Sequence, residues 1–331
     1  MTWTLHDGLP VLGAPLDLAP PLVAAVEARG AVLEWPFDAP AGATPTITVT
    51  DPLEADWLWR LVGERAHAAL HAPAADAPAI ADRADAEPAG ASAVDAAAPD
   101  WDAPLVLALR RLAHGLWARA WWPTSPHDGI APLERAVLDA ELRELAESLE
   151  GIVDADALPR LAGGSDDDRP PAASPRRADY ALAAAGRDDE EVAAPIAAGE
   201  SPVAWQGVPA GTIDATELPV RWSVDAAPAP HLRLVVRLAH AGADCAGLPV
   251  AVELDGMRLA TGALDERGRA ELELPLTAAE AWAADWSAMR VRVGAEVDEP
   301  AELRHRIRAF ARARRGADDP LALRAEADDD Y

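Results

Sequence analysis

The sequence contains no lysine and no asparagine, and Gln206 is its only glutamine. These residues use A-rich codons, so their loss reads as the imprint of a GC-rich genome. Ala, Arg, Asp, Pro and Gly fill the space. Composition therefore reports genome bias as well as function. Cysteine occurs once, at Cys245, which excludes an intrachain disulfide and suits a reducing compartment. Phe and Tyr occur twice each against 12 Trp, so Trp is the expected large core residue. No apolar run approaches the ~20 residues that span a bilayer. Residues 1–10 lack a basic n-region and an apolar h-region, so no signal peptide is expected and the cytoplasm is the expected location. A Gly-rich phosphate loop, a Cys-x-x-Cys pair and a Gly-x-Ser-x-Gly elbow are also missing.

What is present is acid. The 331 residues carry 56 Asp and Glu against 29 basic residues, a formal net charge of −27. Such a charge keeps a chain soluble and repels nucleic acid and anionic membranes. Adaptation to high salt is a second reading of this acidity. It ranks lower because the negative charge concentrates in linkers and the tail.

Length gives a prior of roughly two domains. Residues 1–71 read as a small α/β unit. Pro20-Pro21 open a helix with Leu22, Val23 and Val26 on its apolar side, and Gly30 stops it. Residues 31–35 and 46–50 read as strands. Asp51-Pro52 start a second helix, with Leu58, Leu61, Val62, Arg65 and Ala69 on one face. Residues 72–100 have too few large apolar groups to offset their ordering entropy and read as a flexible loop or linker. Residues 101–151 read as a helical hairpin. Asp102 is its N-cap, Leu105, Leu109, Leu112 and Leu116 form one stripe, and Leu138, Leu142, Leu145 and Leu149 form the other. Neither piece is large enough to stand alone, so residues 1–161 are expected to form one N-terminal domain. Residues 162–201 read as a disordered acidic linker.

The clearest pattern lies in residues 218–294. Leu232, Leu234, Val236 and Leu238 alternate with Arg233, Val235 and Arg237; Val250, Val252 and Leu254 alternate with Ala251 and Glu253. Ala270, Leu272 and Leu274 repeat the alternation, and so do Val291 and Val293. Period two with Asp255-Gly256 and Glu266-Arg267-Gly268 turns predicts an antiparallel sheet with one wet face. The run Pro249-Val-Ala-Val-Glu-Leu-Asp-Gly256, followed by Ala263-Leu-Asp-Glu-Arg-Gly-Arg-Ala-Glu-Leu-Glu-Leu-Pro275, resembles the prealbumin-like and bacterial Ig-like modules. The resemblance covers about 80 residues and implies a β-sandwich, a fold that serves as spacer and binding platform. Residues 277–286 depart from that pattern and read as a helix before the last strand. Residues 299–315 read as a terminal helix with Leu303, Ile307 and Phe310 on its apolar stripe and Arg304, Arg308, Arg312 and Arg315 on a basic face. The expected fold class is α+β and multidomain. It comprises the N-terminal α/β unit packed with the hairpin, an antiparallel sandwich over residues 202–315 with the final helix docked on it, and a disordered acidic tail over residues 316–331.

Several constellations invite chemistry. Glu64/His67 and Glu302/His305 are Glu-x-x-His pairs of the kind di-iron bundles use, but they fall in different predicted domains. His67 and His71 have the i, i+4 spacing of zinc ligands, yet position 68 is Ala where a metalloprotease carries its glutamate. A surface pair is the expected reading, and no metal or cofactor is expected. Ser125, His127 and Asp128 fit turn chemistry better than a catalytic triad. Trp121-Trp122-Pro123 sits at a helix end, where one ring is exposed or caps the loop or both pack within the N-terminal domain; packing inside is favoured, and Trp121, Trp122, Pro123, His127, Asp128 and Ile130 are the candidate protein-binding surface if they are exposed. The leading expectation is a non-enzymatic interaction, accessory or scaffold protein of a bacterial cytoplasmic system, with another protein as partner and no membrane. One alternative is an enzyme or metal-binding protein using His67, His71, Glu64, His127 or Asp128. The other is a nucleic-acid accessory factor acting through the Arg helix, which the net charge disfavours.

Overall fold

A computed structural model describes residues 3–18, 20–40, 42–71, 98–153, 194–226, 229–240 and 242–313. The fold is α+β, with helices and several antiparallel sheets. The chain divides into two compact units. Unit 1 takes its described residues from Met1–Pro123, Gly129–Leu161 and from His305 onward; unit 2 takes Thr124–Asp128 and the described part of Ala162–Arg304. The bulk of the expected linkers and the whole tail lie outside the described residues. Among the described residues no helix is long and apolar enough to cross a membrane.

Unit 1 contains a five-stranded antiparallel sheet in the order β1-β2-β5-β4-β3. Strand β1 (Trp3–His6) and β2 (Leu9–Leu12) pair around Asp7-Gly8, both at positive φ, the geometry that two-residue hairpins prefer. Strand β3 (Val23–Ala28) pairs with β4 (Ala31–Pro36), and β4 with β5 (Thr46–Val49). The helix expected after Pro20-Pro21 is therefore wrong: only Pro20–Leu22 is a 3₁₀ turn, and β3 follows. The β4 register explains the override. Ala31, Leu33 and Trp35 point into the core, and Ala24 and Val26 lie opposite Trp35 and Leu33. The small Ala24 leaves room for Trp35, and packing across the register outweighs the local helix propensity of the alanines. Gly30 is the hairpin turn instead of a helix stop. Its φ of 68° suits glycine, and a Cβ would come within 2.6 Å of the Ala55 nitrogen.

The helix expected from Asp51 is broken. A 3₁₀ segment (Glu54–Leu58) leads into α1 (Trp59–Val62), Gly63 turns the chain at φ 80°, ψ 156°, and α2 (Glu64–His71) follows. The helical hairpin is present as α3 (Ala103–Trp121) and α4 (Arg135–Ser148). Asp102 caps α3 as expected, its carboxylate accepting from the Leu105 amide at 2.9 Å. The buried face of α3 is turned slightly from the leucine stripe and centres on Val106, Leu109, Leu112 and Trp117. The Trp117 ring stacks on Phe37, with centroids 5.0 Å apart, and its indole donates to the Pro21 carbonyl. The final helix, α6 (Ala301–Ala313), places Phe310 edge-on to both rings. From His305 on it belongs to unit 1, not to the C-terminal part to which the sequence assigned it.

Unit 2 holds two antiparallel sheets. One runs β11-β8-β7-β6, built from β6 (Ala197–Ser201), β7 (Val220–Asp225), β8 (His231–Val236) and β11 (Arg269–Glu273). The other runs β10-β9-β12, built from β9 (Pro249–Leu254), β10 (Met257–Ala263) and β12 (Arg290–Val293). The period-two residues Leu232, Leu234, Val236, Val250, Val252, Val291 and Val293 enter one apolar cluster with Val220, Trp222 and Val224. Asp255-Gly256 closes the β9–β10 hairpin with both φ positive, as the sequence implied. Strand β6 falls inside the stretch expected to be linker. It has no hydrophobic signature. Its main chain pairs with β7, Gly199 leaves room for the Trp222 ring, and Ser201 Oγ accepts from the Trp222 indole at 3.2 Å. The expected helix before the last strand is α5 (Ala278–Ala283), closed by a Thr277/Glu280 capping box.

Candidate functional site

The residues expected to form a binding surface lie mostly inside. Trp122, Pro123 and Ile130 are buried and Trp121 is half-buried. The Trp122 indole donates to the Ala131 carbonyl at 2.9 Å. A buried indole needs an acceptor, and the loop supplies one, in line with the favoured packed-inside reading. Only His127 is exposed, and Asp128 is half-buried.

Ser125 is fully buried, so the triad reading has no accessible nucleophile. Its hydroxyl donates to Asp214 at 2.5 Å and accepts from the Asp128 amide at 3.1 Å. The His127 and Thr216 amides also donate to Asp214, at 3.3 and 2.9 Å. Asp214, 2% exposed, is the residue that sequence reasoning missed. It gathers three donors and fixes the 124–128 turn to residues 214–216. The His127 ring pairs weakly with Asp128 at 3.5 Å and takes no part in that hub.

The basic helix is largely engaged. Arg304 donates to Glu299, whose fully buried side chain also accepts from the Trp205 and Gln206 amides. Arg306, which was not on the predicted face, holds Asp38 with two guanidinium nitrogens and lies 5.4 Å over the Phe37 ring. Arg308 is buried, Arg312 is half-buried, and Arg315 lies outside the described residues. The predicted stripe is therefore no open cationic face. Arg304 and Arg308 turn inward because their side of the helix also carries Leu303, Ile307 and Ala311.

One cluster of metal-ligating types forms among the described residues: Asp56, His67 and His71, whose ligand atoms all lie within 4.8 Å of one another. The two histidines sit on α2 and their Nε2 atoms are 3.3 Å apart. Asp56 comes from the 3₁₀ segment before α1 and points Oδ1 at His67 Nε2 from 3.8 Å. Both supports are pinned. The Trp3 indole donates to the Ala66 carbonyl at 2.7 Å beside His67, and the Trp57 indole donates to the Arg29 carbonyl beside Asp56. Partial burial of His67 pushes its pKa down, and neighbouring His71 adds to this while Asp56 opposes it. Neither Glu64 nor the Glu302/His305 pair joins the cluster.

Two tryptophans do face solvent: Trp59, 47% exposed, in unit 1 and Trp282, 70% exposed, in unit 2. Trp282 sits on α5, where Ala281 is the buried anchor and the Trp286 indole donates to the Ala281 carbonyl at 2.9 Å. The capping box fixes the other end. Trp282 is thus held out on a short, clamped helix. No family model matches this chain, and no curated protein and no solved structure matches it either.

Proposed function

We propose that this chain is a non-catalytic interaction or accessory protein of two domains, in which unit 2 is a β-sandwich of the prealbumin-like or Ig-like kind that presents Trp282 to a protein partner. The sandwich reading is supported by two antiparallel sheets whose inward residues share one core. The interaction reading is carried by Trp282, exposed yet rigidly mounted. A tryptophan buries roughly 150–250 Å². At about 25 cal/mol per Å², covering the exposed 70% of it releases roughly 3 kcal/mol. Ordering the ring itself offsets about 0.5–1.5 kcal/mol of that, while the capped helix adds little further cost. Glu280 and Asp285 flank the ring in sequence, so the fitting partner offers an apolar slot with a basic rim. The nucleic-acid reading ranks below this one because Arg304 and Arg306 are already paired.

The experiment places a photo-crosslinking amino acid at position 282 and, separately, substitutes Trp282→Ala in the full chain. The expected result is one stoichiometric adduct in the host and loss of that partner by at least about tenfold in Trp282→Ala, as for an interface hot spot. An unchanged set of partners in Trp282→Ala would refute the assignment.

A further inference from the structure

We propose that Asp56, His67 and His71 bind one divalent transition-metal ion of the zinc class at an open, three-ligand site on unit 1. This inference does not depend on the interaction role of unit 2.

The first argument is the histidine spacing. Zinc sits about 2.0–2.1 Å from imidazole nitrogen, and tetrahedral geometry then sets two such nitrogens about 3.3–3.4 Å apart. The His67 and His71 Nε2 atoms are 3.3 Å apart, so an ion fits against both without rotamer change. The two ring planes are inclined at 70°, with centroids 4.8 Å apart.

The competing explanation is a single N–H···N hydrogen bond between the rings. It leaves Asp56 without a reason. At 3.8 Å from His67 Nε2 its carboxylate is too far for a hydrogen bond, and it attracts the ring only if His67 is protonated. A cation between the three groups accounts for all of them. Carboxylate oxygen ligates zinc at about 2.0–2.2 Å, so Asp56 must close by about 0.5 Å on His67 and by more on His71, since the three ligand atoms span up to 4.8 Å. Its side chain is 78% exposed and free to make that rotation.

The donor set selects the ion. Two imidazoles and one carboxylate suit zinc and its first-row neighbours, whereas calcium and magnesium prefer all-oxygen cages. Asp56 and His71 are both exposed, so the remaining position opens to solvent and takes water. An open site of this kind binds more weakly than a closed four-ligand structural site.

The test uses the full-length chain without a polyhistidine tag. Zinc is titrated calorimetrically, and cobalt(II) is followed by visible absorption, whose intensity reports tetrahedral coordination. The expected result is one equivalent of zinc and a tetrahedral cobalt spectrum. His71→Ala, at an exposed position, keeps the far-UV circular dichroism and loses the site, while Asp56→Asn weakens it about tenfold or more. His6→Ala, on strand β1, binds as the parent does. Equal zinc binding by His71→Ala places the ion on other acidic groups and overturns the proposal. So does a parent chain that binds no zinc at submillimolar concentration.

Discussion

Asp214 sets the sharpest stability test. Three donors converge on its carboxylate: the Ser125 hydroxyl at 2.5 Å, the Thr216 amide at 2.9 Å and the His127 amide at 3.3 Å. Hydrogen bonds to a charged acceptor contribute about 1.5–3 kcal/mol each, and the longest of these three contributes least. Asp214→Ala also leaves the Ser125 hydroxyl buried without its acceptor, at about 1–3 kcal/mol. The expected loss is therefore several kcal/mol, set by how many of the three donors find water instead. Ser125→Ala removes one donor and the acceptor of the Asp128 amide and costs about 1–2 kcal/mol. Because the two residues touch, the double variant is less destabilised than the sum, with a coupling of about 1–3 kcal/mol. Urea denaturation gives the totals. Hydrogen exchange of peptides spanning 124–128 and 212–216 localises them, with both segments losing protection together. A loss under ~0.5 kcal/mol in Asp214→Ala, within the range of ordinary surface substitutions, or strict additivity with Ser125→Ala, would refute the hub.

Phe310→Ala tests whether α6 from His305 on packs within unit 1. A fully buried Phe→Ala change costs about 3–5 kcal/mol, and Phe310 is only partly buried, so about 2–3 kcal/mol is expected once its edge contacts to Phe37 and Trp117 are counted. Increased hydrogen exchange around residues 20–37 and 113–121 is the readout. His67 titrates below the ordinary histidine range because burial disfavours its charged form. Its folded pKa is then lower than its unfolded pKa, so between the two the unfolded chain binds more protons and stability rises with pH. Acidification through that window destabilises the parent more than His67→Gln. Ring-proton NMR gives the midpoint directly, and one at or above the unfolded value would contradict the geometry.

Unit 2 was legible because period-two patterning reports burial directly. Leu232, Leu234 and Val236 point inward whatever the rest of the chain does. Strand β6 was not legible because nothing in Ala-Ala-Gly-Glu-Ser signals a strand. Main-chain pairing and a gap for Trp222 hold it, and both belong to the partner strand. Strand β3 is hard to read for a related reason: Ala24, Ala25 and Ala28 favour a helix locally, and it is the pairing with β4, which sets Ala24 opposite Trp35 and Val26 opposite Leu33, that holds the segment extended. The Trp121-Trp122 pair drew attention by rarity, but rarity carries no information on direction, and the acceptor at Ala131 decides it.

The histidine pair illustrates how much hangs on one backbone break. Spacing alone marks His67 and His71 as neighbours on a helix face. Asp56 is eleven residues earlier than His67, and residues 51–71 read as a single helix. In an unbroken α-helix eleven residues rise roughly 16 Å, so the carboxylate would lie three turns away. Gly63 removes that separation. Its φ of 80° and ψ of 156° fall in a region that glycine alone adopts readily, and the helical path is broken there between α1 and α2. The Asp56 carboxylate then meets His67 at 3.8 Å. A glycine within an apolar periodic run was the available signal, and it marks the residue whose conformation assembles the three ligands.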